Sequence, residues 1–121
     1  MNVTVQVSRS FQVAVKPLLK KYPSLSQDLL QLERILRANP REGTPLGNGA
    51  YKIRLKIASK GKGKSGGARV ISLLESTIIG KIETQNEVIV VTLITIYDKS
   101  DTASISDKEL RDLIRAFHQD S

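Results

Sequence analysis

Between residues 42 and 70 the chain carries seven Lys/Arg against a single acid, in an order that suits phosphate. Residues 51 to 58, Tyr-Lys-Ile-Arg-Leu-Lys-Ile-Ala, alternate strictly. Side chains of a strand point to opposite faces in turn, so Lys52, Arg54 and Lys56 share one face and Ile53, Leu55 and Ile57 the other. The segment Lys60-Gly-Lys-Gly-Lys-Ser-Gly-Gly-Ala-Arg69 follows. Its glycines leave backbone amides open to an anion while Lys60, Lys62 and Lys64 add point charges. A hairpin here brings Arg69 beside Lys52, Arg54 and Lys56 beneath the loop, a concave cationic surface fit to grip a sugar-phosphate chain, with arginine forks holding two oxygens of one phosphate. Arg69 is expected to be a phosphate contact whose removal leaves core packing intact.

Other chemistries fit less well. Ala58 to Ser65 satisfies a loosened phosphate-loop pattern, but such a loop must open a helix. Here Arg69-Val-Ile-Ser-Leu-Leu reads as β-structure. With no cysteine and one histidine, neither a disulfide framework nor a Cys- or multi-His-based metal centre is available. No metal and no cofactor is expected. His118, near the end of a terminal helix, reads as a structural or solvent-facing residue.

The remaining charge agrees with an anionic partner. The net charge is +7, residues 1 to 41 adding seven bases against two acids, whereas residues 71 to 97 and 98 to 121 are each net acidic. Such a field concentrates polyanions. Lys16, Lys20, Lys21, Arg34 and Arg37 on the first helices are further candidates for RNA phosphates.

The elements that must position these residues follow from periodicity. Val3, Val5 and Val7 alternate as a first strand. Phe11, Val15, Leu18 and Leu19 predict a helix from Ser10 to Tyr22, kinked or restarted at Pro17. Ser24 with Gln27 suggests a capping box for a helix over 25–38, with Leu29, Leu32, Ile35 and Leu36 as its stripe. Arg41 to Gly49 reads as a surface connection. Strands are expected at 51–58, Ala68–Leu74 and, as a central strand, Val88–Tyr97, with residues 75–87 undecided between strand and turn. Ser106 with Glu109 caps a last helix bearing Leu110, Leu113, Ile114 and Phe117. The order β-α-α-β-β-β-α predicts one α+β domain over residues 1–121, its helices on one face of a mostly antiparallel sheet. No membrane-spanning run or leader pattern is read, so the default expectation is cytoplasmic.

Tyr51-Lys-Ile-Arg54, the segment Ala58 to Ile71 and Leu93-Ile-Thr-Ile-Tyr-Asp-Lys99 resemble the RelE/HigB superfamily of type II toxin-antitoxin toxins, especially its HigB-like branch with a long Lys/Gly hairpin. The similarity runs in element order over about residues 3 to 117. It implies a RelE-like fold and a ribosome-dependent mRNA endoribonuclease that inhibits translation, with a cognate antitoxin, the ribosome and mRNA as partners. It implies that Lys52 and Arg54 act on the scissile phosphate, that Arg69 binds it, and that Tyr97 and Lys99 stand at a further basic or aromatic position. Ile105 stands where the family has a tyrosine near the C-terminus. The related ParE toxins share the fold and act on DNA gyrase, so a ParE-like gyrase inhibitor is one alternative and a non-catalytic RNA-binding member another.

Cleavage by the neighbouring 2′-hydroxyl needs a proton removed, a phosphorane stabilised and a leaving oxygen protonated. Clustered cations serve the second need without metal. They also disfavour one another's charged forms, making Lys52 a candidate general base, and are expected to let Tyr97 ionise more easily.

Overall fold

The computed structural model describes residues 2–60, 67–79, 86–101 and 104–120. Strand β1 (Asn2–Val7) leads into helices α1 (Arg9–Lys21) and α2 (Leu25–Ala38), followed by β2 (Thr44–Gly47) and β3 (Ala50–Leu55). A 3₁₀ turn (Ala58–Lys60) precedes β4 (Ala68–Ile79), β5 (Asn86–Asp98) and α3 (Asp107–Gln119). The strands form one sheet in the order β1-β5-β4-β3-β2. Only β1 and β5 run parallel; the other neighbours are antiparallel. The chain is α+β with a mixed sheet.

One strand was not foreseen in the sequence. β2 lies in the Arg41–Gly49 stretch read as a connection, where Gly43, Gly47, Asn48 and Gly49 turn the backbone through positive φ and a short hairpin forms with β3. Gly43 is confined as well as turned, since a Cβ there would sit 2.5 Å from the Lys52 carbonyl oxygen. β5 pairs on both sides as an interior strand, and the undecided residues 75–79 and 86–87 extend β4 and β5.

The helices lie on both faces of the sheet, correcting the one-face expectation. Phe11, Val15 and Leu18 of α1 and Leu25, Leu32 and Leu36 of α2 pack on Ile53, Leu55, Val70, Val91 and Ile96. On the opposite face Leu110, Leu113, Ile114 and Phe117 of α3 cover Ala50, Ile71, Leu73 and Ile94. An amphipathic pattern tells which side of a helix is buried, but not which side of a sheet receives it.

The caps differ from expectation once. α1 runs through Pro17 without a restart and is capped by Ser8, whose hydroxyl accepts from the Phe11 amide. Ser24 makes no side-chain cap for α2; its hydroxyl donates to Asp28 Oδ2 at 2.8 Å. The Ser106–Glu109 capping box on α3 forms as expected.

Candidate nucleic-acid interface

The alternation in β3 places Ile53 and Leu55 in the core beneath α1 and α2, so Lys52 and Arg54 stand on the other face. Arg54 lies directly opposite Arg69 of β4, and Arg69 directly opposite Tyr97 of β5. Residues directly opposite across antiparallel strands project to the same side with Cβ atoms about 5 Å apart. Arg54, Arg69 and Tyr97 therefore form a row across three adjacent strands, with Lys52 one pleat further along. Hydrophobic cover from α3 lies beyond this row, over Ala50 and Leu73.

Arg54 is exposed, Lys52 and Tyr97 are half-buried, and Arg69 retains 6% of its surface. The expectation that Arg69 could be removed without touching packing is thus corrected: β4 is the middle strand, and almost the whole arginine side chain, guanidinium included, is enclosed. The guanidinium donates to the Ala68 carbonyl at 3.2 Å. Among the described residues, no acid lies within salt-bridge distance of Lys52, Arg54, Lys56 or Arg69. Two like charges opposite each other disfavour the folded state unless an anion joins them.

Tyr97 departs from expectation in its titration. Burial is the main influence raising its phenol above the ordinary value, with Glu109 adding to it, while Arg69 and the Ile105 backbone pull the other way. The Ile105 backbone acts without meeting hydrogen-bond geometry, and the Tyr97 hydroxyl makes no hydrogen bond within the described residues. Arg69 favours ionisation, as expected, but burial outweighs it and the phenol is harder to ionise than an ordinary tyrosine. Thr95, Tyr97, Ile105, Glu109, Asp112 and Leu113 line a cleft of about 380 Å³ between β5 and α3.

Lys60 is drawn elsewhere. Its Nζ donates to Asp98 Oδ1 at 2.8 Å and stands 5.5 Å from the centre of the Tyr22 ring. Asp98 Oδ2 accepts from the Tyr22 hydroxyl at 2.5 Å, and Oδ1 also accepts from the amide and hydroxyl of Ser100. Burial, the largest single influence on Asp98, acts to raise its carboxyl; hydrogen bonds from Lys60, Ser100 and Tyr22 together outweigh it and hold the group well below the usual carboxylate range. Lys60 is raised in turn, chiefly by its hydrogen bond to Asp98. Because Tyr22 belongs to the α1/α2 side, Lys60 is held on the face opposite the arginine row. Its charge is committed to fastening the entry of the Lys/Gly segment to the end of β5.

Lys56 is exposed just beyond β3. Lys62 and Lys64 lie outside the described residues. Lys99 follows β5, its amide donating to the Gly67 carbonyl at 3.1 Å, so its backbone closes the base of the hairpin. His118 meets Glu75 at 3.0 Å and ties α3 to β4. Of the helix cations, Arg37 bridges to Glu33 and donates to the Val3 carbonyl, and Lys21 lies 3.9 Å from Asp98. Sequence reading missed the Asp98–Tyr22–Lys60–Ser100 cluster. Its only local signal was an acid one residue after a strand-end tyrosine, because Tyr22 lies 76 positions away from Asp98.

A scan against protein-family models, a search of curated proteins and a search of solved structures each returned no match. No helix among the described residues is long and apolar enough to cross a membrane.

Proposed function

We propose that this chain is a metal-independent mRNA endoribonuclease, the toxin of a type II toxin-antitoxin system that inhibits translation in the cytoplasm by cutting mRNA on the ribosome, and whose cognate antitoxin silences it. The observation that carries the reading is the row Arg54–Arg69–Tyr97 with Lys52 beside it, three cations and a phenol on one sheet face with no acid paired to the cations among the described residues. In this reading Arg69 meets the scissile phosphate from a nearly buried position, its guanidinium turning from the Ala68 carbonyl, where charge stabilisation of a phosphorane is strongest. Arg54 neutralises the second oxygen. Tyr97 is the candidate donor to the leaving 5′-oxygen, a role that requires substrate binding to uncover its buried hydroxyl, and Lys52 is the candidate base for the 2′-hydroxyl. Lys56, with Lys62 and Lys64, holds flanking phosphates, and Lys99 extends the site at the end of β5.

The test is induction of the chain in bacterial cells with mapping of transcript 5′ ends, beside Arg54→Gln and Arg69→Lys at matched expression. Growth arrest with new ends inside translated codons, lost in both variants, is the expected result. Arrest with intact mRNA and DNA damage would replace this reading with gyrase inhibition. A second reading, RNA binding without cleavage, draws on the raised phenol of Tyr97, which leaves Lys52 alone as candidate base; binding of RNA without new transcript ends would establish it.

A further inference from the structure

The lane alongside β3 is only half filled. β2 pairs with β3 at Ala50, Tyr51 and Lys52 and pairs no further. From Ile53 to Lys56 the outer edge of β3 has no strand beside it among the described residues. Unpaired backbone amides and carbonyls along a strand are a template for another strand. The opposite edge of the sheet differs, since Arg37 reaches across from α2 to the Val3 carbonyl of β1.

The open lane faces a groove of about 490 Å³ between β3 and α2, with Leu32 and Ile35 on the helix side, Ile53, Leu55, Arg54 and Lys56 on the strand side, and Glu42, which accepts from Asn39, also in its lining. Ile35 belongs to the apolar stripe of α2 and yet is 43% exposed, because no element of the described chain covers it. Asp28 Oδ2 closes one end by accepting from the Ala58 amide at 3.2 Å.

We infer that this lane is a docking site for an extended protein segment of alternating apolar and acidic residues, added as a strand beside β3. The alternation follows from the two faces. Side chains of an added strand that point toward α2 meet Leu32, Ile35 and Leu55 and must be apolar. Those that point the other way lie beside Arg54 and Lys56, where cross-strand pairing favours carboxylates. A second copy of this chain is a poor occupant: antiparallel pairing centred on Arg54 sets Arg54 against Arg54. The charges that keep identical edges apart thus select an acidic partner. Such a partner would lie beside the arginine row and compete with a polyanion for it, although the inference requires no nuclease chemistry.

The experiment is titration of the full-length ¹⁵N-labelled chain with an acetylated octapeptide alternating Val and Glu, followed by amide shifts and hydrogen exchange. Controls are a peptide of the same composition with its valines and glutamates in separate blocks, and the alternating peptide N-methylated at every second amide along one edge, made in both registers. The expected result is slowed exchange at Ile53–Lys56, shifts in α2 around Leu32 and Ile35, and affinity about tenfold above the block peptide and at least one methylated form. Ile35→Glu, at an exposed position, should weaken the alternating peptide about tenfold without lowering the melting temperature. Equal affinity for the block peptide, responses confined to β1, or no binding would overturn the inference. None of these outcomes bears on mRNA cleavage, and loss of cleavage in the induction experiment would leave this docking site standing.

Discussion

Replacing Asp98 with Asn tests how the base of the hairpin is held. The side chain is nearly isosteric, so packing survives, but a carboxylate that accepts four hydrogen bonds becomes a neutral amide with one acceptor oxygen. Hydrogen bonds to a charged group contribute roughly 1.5–3 kcal/mol against about 1 kcal/mol for neutral ones. The Lys60 ammonium also loses its counter-charge at a site where its side chain is only 18% exposed. Both effects bring the expected loss to about 3 kcal/mol at neutral pH. For a domain of this size that is roughly 10–15 °C in melting temperature. The pH dependence makes the test specific. The carboxyl titrates below its unfolded value, so its contribution is complete above about pH 4 and is lost as pH falls through the folded-state value. Urea unfolding of the parent and D98N across this range should show a gap that is widest near neutrality and narrows steadily below about pH 4. A gap that persists unchanged at about pH 2, or a variant as stable as the parent at neutrality, would refute the reasoning.

Three further outcomes are expected. Gly67→Ala drives a Cβ into the Leu55 carbonyl where β3 and β4 leave the hairpin, and should cost about 1–3 kcal/mol in denaturant unfolding. Arg54→Gln should leave stability within about 0.5 kcal/mol of the parent or raise it, by relieving its opposition to Arg69, while lowering the salt slope of single-stranded RNA binding by about 0.7. Tyr97→Phe should scarcely change stability, since its hydroxyl has no hydrogen-bond partner among the described residues, and, if the proposed function holds, should slow mRNA cleavage about 100-fold or more; absorbance titration of the parent should find a phenol ionising above the ordinary tyrosine range.

What could be read from the amino-acid order was what depends on neighbours in the chain. The two-residue alternation from Lys52 to Leu55 assigned the faces of β3 correctly, because a strand has one period and a one-residue slip would bury two cations, although the strand expected to run to residue 58 ends at Leu55 and Ala58 opens a 3₁₀ turn. The bounds of α2 and the capping of α3 follow from short-range spacing in the same way. What escaped depends on partners distant in sequence. Ser24 has the residue type of a cap, but its hydroxyl is engaged with Asp28 and Ser59. Arg69 has the residue type of a surface contact, and its burial becomes evident only when β4 takes the middle of the sheet. Lys60 looked like one more cation of the loop until the fold brought Asp98 to it from 38 positions away.

The end of β5 shows how a small sheet keeps opposite charges from cancelling. Tyr97 and Asp98 are consecutive, so their side chains leave the strand on opposite faces. Asp98 turns toward α1, where it is buried with Tyr22 and takes up the charge of Lys60. Tyr97 turns to the other face and completes the row begun by Arg54 and Arg69, bringing no negative charge because a phenol is neutral at about pH 7 and burial only raises its pKa further. If the register of β4 on β5 shifted by one residue, Asp98 would stand opposite Arg69 and quench it at a distance where an ion pair outcompetes a weakly held phosphate. The observed register sets Ala68 opposite Asp98 instead. The mutual repulsion of Arg54 and Arg69, on the order of a kcal/mol, is therefore not offset by Asp98, and under the proposed function an incoming phosphate would relieve it and gain affinity by doing so.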